Sequence, residues 1–124
     1  MMINLQSLIL PFIRSFYGEV ICSPKRLAGL YCEGSVYYAA GNALKGTPEI
    51  VQGLEWRSQM THQIHSSNIL PYGDALLVVV IGELIGADTG ARQCFYETFV
   101  IVQQSEGRVN VSCQSFLVGG DKLL

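Results

Sequence analysis

The chain has 124 residues, of which 49% are hydrophobic and 15% charged, and its formal net charge is −2. A chain of this length forms one domain, so we predict a single domain over residues 1–124. The basic residues are few and scattered, which excludes the concentrated positive surface typical of nucleic-acid binding, and no apolar run approaches the roughly 20 residues that cross a bilayer. The first ten residues have neither the basic segment nor the small-residue cleavage site of a secretory signal, so we expect a soluble intracellular protein that binds neither nucleic acid nor membrane.

Two helices are predicted in the first third of the chain. Apolar residues recur at helical spacing over residues 5–20 with Pro11 inside the pattern, so the first helix either bends at this proline or begins there. Ser23 and Pro24 then provide an N-cap hydroxyl followed by proline at the first helical position, which predicts a second, short helix. We expect this helix to end near Gly34.

A hairpin and a third helix follow. Residues 36–40 have the composition of a short strand, and Gly41-Asn42 is a tight-turn signal that predicts a hairpin. The sequence Thr47-Pro48-Glu49 repeats the pattern of cap and proline, and it adds a carboxylate in the first turn, where the helix dipole favours one. It predicts a helix that stops near Arg57.

The second half of the chain consists of predicted strands. Breaks of hairpin length, rich in Gly, Asp and Ser, separate four largely apolar stretches. The four strands are predicted over residues 61–69, 75–85, 92–102 and 108–118. Helices first and strands afterwards indicate an α+β fold, in which helices pack on one face of a mostly antiparallel sheet.

The strand over residues 75–85 is apolar on both faces. An antiparallel sheet with one solvated face alternates apolar and polar residues, and the predicted helices suffice to cover only one face. We therefore expect a partner chain to cover the second face; the alternative is that the chain's own curvature and loops cover it. Alternation assigns Val78 to the core and Val79 to the partner-covered face. The predicted partner interface comprises Leu77, Val79, Ile81, Tyr96, Thr98, Val100, Val111, Cys113, Ser115 and Leu117.

The cysteines and histidines form no pattern typical of a metal site or a disulfide framework. The four cysteines are irregularly spaced and include no Cys-x-x-Cys pair, and we interpret them as reduced thiols. His62 and His65 are an odd number of residues apart, so on a strand they point to opposite faces and cannot converge on one proton or metal. We expect no metal and no cofactor.

Tyr37 and Glu97 are candidates for a pocket inside the fold. Glu97 shares the strand parity of Phe95 and Phe99, which predicts that its side chain points inward. Burial would raise the pKa of such a carboxyl group and suit it to proton transfer. The alternative is a structural carboxylate at a strand bulge or at the mouth of the pocket, bonded to a backbone amide or a tyrosine hydroxyl. On that interpretation the chain has no catalytic residue.

Several short motifs occur in the order typical of one known family. An aromatic-rich helix over residues 12–17 is followed by Leu30-Tyr31 and by a Gly-turn-Gly segment over 41–46, and the sequence Phe95-Tyr96-Glu97-Thr98-Phe99 lies further on. Over nearly the whole chain this order resembles the nuclear transport factor 2 family. The resemblance implies a cone-shaped fold, in which a bent sheet wraps around a long helix. It also implies that the opposite sheet face mediates homo- or heterodimerisation.

Differences from the family pattern narrow the implied function. The family's carrier for the small GTPase Ran has a Trp-Glu pair where this chain has Ala39 and Ala40, so the carboxylate that would meet a Ran lysine is missing. Residues 41–46 and 77–82 instead resemble the small subunit of an mRNA-export receptor. Members usually end in Asp-x-Phe-Arg, whereas residues 114–117 here read Gln-Ser-Phe-Leu. The arginine that commonly forms a salt bridge across the dimer is therefore absent.

The resemblance implies a non-catalytic subunit of nucleocytoplasmic transport. The expected partner is the homologous domain of an mRNA-export receptor or a second copy of the chain, with Phe-Gly nucleoporins as further partners. The expected location is the nucleus, the cytoplasm and the nuclear pore. Alternatives are a Ran-GDP import carrier, a scaffold domain that binds Phe-rich peptides, and a small pocket enzyme of isomerase or dehydratase type. On the transport interpretation Glu97→Gln restores the family's preferred residue, and we expect it to be neutral or stabilising.

Overall fold

The computed structural model describes residues 5–105 and 108–119. The helices are α1 (Leu5–Cys22) and α2 (Thr47–Leu54), and two 3₁₀ segments span Pro24–Leu30 and Glu55–Gln59. The strands are β1 (Val36–Ala39), β2 (Asn42–Lys45), β3 (Met60–Tyr72), β4 (Ala75–Gly86), β5 (Arg92–Ser105) and β6 (Arg108–Gly119). The predicted α+β class, with helices on one face of a bent and mostly antiparallel sheet, is confirmed.

Helix α1 defines which face of the sheet is the core. It contains Pro11 instead of beginning there. The rings of Phe12 and Phe16 pack edge-on against Phe99 of β5, with centroid distances of 5.4 and 5.0 Å. The side chains of Leu5 and Leu8, which belong to the same predicted stripe, lie outside the described residues. Neither α1 nor any other helix in the described ranges is long and apolar enough to span a membrane.

The connections around β1 and β2 differ in detail from the prediction. The segment after Ser23 is a 3₁₀ helix that ends at Leu30, and the Ser23 hydroxyl makes no capping hydrogen bond. The β1–β2 turn is centred on Ala40 and Gly41, one residue earlier than predicted, with φ values of 52° and 79°. Positive φ at both central residues is typical of a type I′ turn, whose twist matches that of the flanking strands.

The sheet order is β2-β1-β6-β5-β4-β3. Strands β3 to β6 form the predicted antiparallel meander, and β1 joins it by parallel pairing with β6, which the sequence analysis did not predict. Side chains alternate between an inner face, which packs against α1, and an outer face. On β4, Val78 is fully buried on the inner face, whereas Val79 is only half-buried on the outer face. The predicted alternation along this strand is confirmed.

Three register shifts interrupt the regular pairing of the sheet, two between β5 and β6 and one between β3 and β4. A bulge at Ser112 shifts the register between β5 and β6, so that Val111 pairs with Ile101. Both residues face the core, and Val111 is fully buried. Its assignment to the partner interface is therefore wrong, because strand parity counted from Cys113 does not continue through the bulge. The other two shifts lie at His65 on β3 and at Gln104 on β5.

Candidate functional site

A buried ion pair lies between α1 and the inner face of the sheet. Arg57 extends inward from the 3₁₀ segment after α2, and Glu97 extends inward from β5. Both side chains are 0% exposed. The Arg57 guanidinium donates from Nη1 to Glu97 Oε2 at 2.8 Å and from Nη2 to Glu97 Oε1 at 2.7 Å. Two parallel hydrogen bonds of this kind are the strongest geometry available to an arginine and a carboxylate.

Further polar side chains complete the bonding of Glu97. Tyr17 of α1 donates to Glu97 Oε1 at 2.8 Å, and Gln114 of β6 donates through Nε2 to Glu97 Oε2 at 2.7 Å. Gln114 Oε1 in turn accepts a hydrogen bond from the Tyr31 hydroxyl at 2.6 Å. Each carboxylate oxygen of Glu97 therefore accepts two hydrogen bonds, which uses all of its lone-pair positions.

The guanidinium of Arg57 is enclosed just as completely. Its Nε donates to His62 Nε2 at 3.2 Å, and its Nη1 also donates to the Tyr37 hydroxyl at 3.4 Å. The Phe116 ring centroid lies 3.8 Å from the guanidinium carbon, and the Phe16 centroid lies 5.5 Å from it. Arg57 is thus held by hydrogen bonds in its plane and by cation–π contact with aromatic rings.

Burial sets the protonation states around the ion pair. Burial raises the pKa of Tyr17 well above the ordinary value of a tyrosine, and the nearby carboxylate charge adds to the effect. Burial likewise raises the pKa of Tyr37 to about 12. Burial, followed by the adjacent guanidinium charge, lowers the pKa of His62 to about 3. At neutral pH both tyrosines are therefore protonated and His62 is a neutral imidazole.

Glu97 has no lone pair free for acid–base chemistry. A general base must reach the proton of a substrate with an unoccupied lone pair, and here every position is taken by a side chain of the same domain. The structure brings the two predicted pocket residues, Tyr37 and Glu97, together around Arg57, where both are fully buried. The predicted inward orientation of Glu97 is confirmed. The predicted bond from a tyrosine hydroxyl is present, but Glu97 is fully buried and lies at neither a bulge nor a pocket mouth, and its main partner is Arg57.

Sequence reasoning missed Arg57 and Gln114 as parts of this site. Arg57 served only as the predicted end of a helix, and Gln114 only as a difference from a family motif. One signal was available, because an inward carboxylate requires a buried partner charge to offset the cost of its desolvation. Local spacing does not identify that partner, since Arg57 and Glu97 are 40 residues apart.

The two histidines lie on opposite faces of the sheet, as predicted. His62 is half-buried on the inner face, next to aromatic rings of α1 and β5. His65 is exposed, and its Nε2 lies 3.0 Å from Glu83 Oε1, which Arg92 Nη1 approaches to 3.4 Å. Within residues 5–105 and 108–119, no three His, Cys, Asp or Glu side chains are grouped so that they could hold a metal ion.

The outer face of the sheet is apolar and open. By strand register it carries all of the predicted interface residues except Val111: Leu77, Val79, Ile81, Tyr96, Thr98, Val100, Cys113, Ser115 and Leu117. Nine large hydrophobic residues are exposed in the described part of the chain, and more than half of them lie on this face. They are Tyr38, Leu70, Tyr72, Ile81 and Leu117. The outer face is therefore wider than predicted, because it extends onto β1 and β3.

A groove lies at the edge of the outer face, beside the β1–β2 turn and the end of β6. Its volume is about 680 Å³, and none of its described lining residues is charged. Trp56 forms one wall; its side chain is 47% exposed, and its ring lies 6.1 Å from that of Phe116. Leu117 belongs both to the groove and to the outer face. The two surfaces are therefore continuous.

The bent six-stranded sheet around α1 defines a cone-shaped α+β domain with a sealed interior ion pair and an apolar outer face. Residues 9–118 match the nuclear transport factor 2 (NTF2) domain. The chain therefore belongs to the NTF2 domain family. No curated protein is significantly similar to it in sequence.

Three solved structures illustrate what this fold does elsewhere. Nuclear transport factor 2 from Cryptosporidium parvum has a TM-score of 0.82 at 18% identity, covering 92% of this chain and 94% of that chain. A ketosteroid isomerase-like protein from Shewanella frigidimarina has a TM-score of 0.77 at 15% identity, covering 94% and 100%. The C. albicans Mtr2–Mex67 M domain complex has a TM-score of 0.72 at 11% identity, covering 95% of this chain and 97% of that chain. At such identities the similarity shows the fold, and the fold does not choose among these functions.

Proposed function

We propose that the chain is a non-catalytic subunit that pairs the outer face of its sheet with a second domain of the same fold. The observation that supports this function is the contrast between the two sides of β4 and β5. On the inner side Glu97 is buried and fully bonded, whereas on the outer side apolar residues such as Ile81 reach the surface. Contiguous exposed apolar surface is uncommon on soluble monomers and marks interaction sites.

The chemistry of the outer face fits a sheet-on-sheet interface. Sheets that pack face to face do so through interdigitating apolar side chains. A standard interface removes about 800 Å² per partner from water, which at roughly 25 cal/mol per Å² of apolar area is enough to offset the cost of association. The polar side chains of His65, Glu83 and Arg92 lie together at one end of this face. That is the position expected for a polar rim.

Within this class we assign the chain to nucleocytoplasmic transport. Its partner is the homologous domain of an mRNA-export receptor, and the dimer contributes to the binding of Phe-Gly nucleoporins. Such a subunit works at the nuclear pore and is present in the nucleus and in the cytoplasm. Support comes from the resemblance of residues 41–46 to the small export subunit and from the fold shared with the Mtr2–Mex67 complex. Ala39 and Ala40 line the groove where a Ran carrier has an aromatic and an acidic residue, which argues against that alternative.

Co-expression with the NTF2-like domain of the export receptor from the same source tests the partner. We expect a one-to-one complex by size-exclusion chromatography with light scattering. Leu117→Asp on the outer face should abolish it, whereas Leu10→Asp on α1 should not. These two leucines are a matched pair, because each is 52% exposed. Absence of a complex, or equal loss with both substitutions, would contradict the assignment.

Calorimetry with Ran separates the proposal from the carrier alternative. We expect no measurable binding in either nucleotide state, because Ala39 and Ala40 supply neither an aromatic anchor nor a carboxylate. A micromolar or tighter complex with Ran-GDP would contradict this expectation and favour the carrier function.

A further inference from the structure

Arg57 reaches the interior from a surface segment. The 3₁₀ segment Glu55–Gln59 joins α2 to β3, and Arg57 is its buried residue. Its neighbour Trp56 is largely exposed. A 3₁₀ turn has poorer hydrogen-bond geometry than an α-helix and frequently serves as a connector or hinge. The hydrogen bonds of the Arg57 side chain to Glu97 attach this segment to the core.

The hydrogen-bond acceptors and the nearest aromatic ring around Arg57 form a cage on the sheet, and Phe16 of α1 lies farther away, with its ring centroid 5.5 Å from the guanidinium carbon. Glu97 lies on β5, Tyr37 on β1, His62 on β3 and Phe116 on β6. Hydrogen-bonded strands fix these four side chains relative to one another, whereas the guanidinium comes from a separate segment. The acceptors of the cage thus belong to the sheet, whereas the guanidinium that fills it belongs to the 3₁₀ segment.

The cage matches a guanidinium group in shape and in bonding. Its acceptors lie around the edge of the planar cation and take hydrogen bonds from Nε, Nη1 and Nη2 at 2.7 to 3.4 Å. The Phe116 ring covers one face of the cation at 3.8 Å. A compact ammonium group cannot satisfy a forked set of acceptors and a stacking ring at the same time. The selectivity of the cage therefore favours guanidinium over other cations.

We infer that the cone contains a guanidinium-binding site, which the chain closes with its own Arg57 in an autoinhibitory contact. When the 3₁₀ segment is displaced, the cage accepts a guanidinium from another molecule, such as an arginine side chain. Glu97 then serves as the counter-ion and Phe116 as the stacking surface. The inference goes beyond the proposed function and does not depend on it, because it concerns the inner face of the sheet and not the outer one.

Supplying the cation in solution to the full-length Arg57→Ala variant tests this inference. The thermal melting temperature is measured with methylguanidinium or methylammonium at millimolar concentration, far below the molar range in which guanidinium salts unfold proteins. We expect methylguanidinium to raise the melting temperature in a saturable manner, since a ligand that binds only the folded state stabilises it. Methylammonium should have no such effect. The wild-type protein should respond to neither cation, because its cage is occupied.

A double variant, Arg57→Ala with Glu97→Gln, is the matched control. It keeps the space left by the arginine but lacks the counter-ion, so we expect no response to methylguanidinium. If Arg57→Ala does not fold alone, the same additions are made during refolding from urea with circular dichroism as the readout, and only methylguanidinium should restore the native signal. Equal effects of both cations, a response of the double variant, or no response of Arg57→Ala in either format would overturn the inference.

Discussion

Each face of the sheet carries side chains that are unusual for its exposure to water. The inner face is buried, yet it carries Glu97 and Gln114 in contact with each other, and Arg57 of the 3₁₀ segment pairs with Glu97 there. The outer face reaches solvent, yet it carries apolar residues such as Ile81 and Leu117. In the interior, the bonding capacity of Glu97 is satisfied within the domain. On the outer face, no part of the described chain covers the apolar side chains.

Polarity alone therefore does not identify the surface that a protein uses for binding. A polar cluster can act on a ligand only if it has bonding positions to spare, and Glu97 has none while Arg57 is in place. An apolar surface can act if nothing in its own chain covers it, because burying it against a partner removes it from water. We therefore propose the outer face, with its adjoining groove, as the partner-binding surface of this domain.

Glu97→Gln breaks the inner half of this comparison and should have the largest effect. The substitution leaves the Arg57 charge buried without a counter-ion, and breaking a buried pair in this way costs about 3–5 kcal/mol of folding free energy. This replaces the expectation, drawn from the family pattern, that the change is neutral or stabilising. The measurement is urea unfolding followed by circular dichroism.

The matched control for Glu97→Gln is Glu83→Gln on the outer face. Glu83 also pairs with an arginine, Arg92, but the Arg92 side chain is 58% exposed. Exposed pairs contribute less than about 1 kcal/mol, so we expect a small loss. Equal losses of unfolding free energy for the two substitutions would show that the buried pair of Arg57 and Glu97 contributes no more to stability than an exposed pair.

Acid should weaken the interior through His62. The pKa of this histidine is lowered from 6.5 in the unfolded chain to about 3 in the folded protein. As pH falls below 6.5 the unfolded chain binds a proton that the folded protein does not, so stability present above pH 6.5 is lost progressively toward pH 3. The slope contributed by His62 is at most about 1.4 kcal/mol per pH unit.

Urea unfolding of the wild type and of His62→Gln across this pH window isolates the contribution of His62. Glutamine retains an acceptor for Arg57 Nε but does not titrate. We expect the pH dependence of the free energy of unfolding to be shallower in the variant. Parallel curves for the two proteins would mean that the pKa of His62 is the same in the folded and the unfolded state.

Gly82→Ala tests how closely β3 and β4 pack over the inner face. A methyl group at Gly82 would collide with the Gln63 carbonyl oxygen and the Phe95 ring. We expect a loss of about 1–3 kcal/mol in the free energy of unfolding, the usual cost of overpacking. Gly18→Ala on the open side of α1 is the control, since nothing lies within 4 Å of its added methyl group. There a gain of about 0.5–1 kcal/mol is expected from helix propensity.

The sequence was sufficient to predict the strands and the face of each residue wherever strand alternation is regular. Val78, Val79 and Glu97 point where parity places them, because alternation is a local property of an extended chain. Val111 does not, because the bulge at Ser112 adds one residue to β6. Hydrophobic pattern does not reveal such a bulge, since the residues on both sides of it are compatible with a regular strand.

The interior site could be predicted only in part for a different reason. The inward direction of Glu97 follows from its own strand, but its partners come from separate elements, 40 and 17 residues away. Arg57 enters from a short 3₁₀ turn, which has no hydrophobic period that indicates its direction. The parallel pairing of β1 with β6 is likewise a long-range contact. Local periodicity contains no information about any of these pairings.

We propose that the adjacent residues Val78 and Val79 of β4 serve two different surfaces, one inside the domain and one between partners. Val78→Glu buries an unpaired charge within the core, whereas Val79→Glu buries one only when the outer face is covered. We predict that Val78→Glu is unfolded or aggregated and that Val79→Glu is a folded monomer that no longer pairs with itself or with the receptor domain. Light scattering and circular dichroism on both variants, with the wild type as reference, provide the measurement. Unfolding of Val79→Glu to the same extent as Val78→Glu, or a wild type that remains monomeric alone and with the receptor domain, would contradict the account.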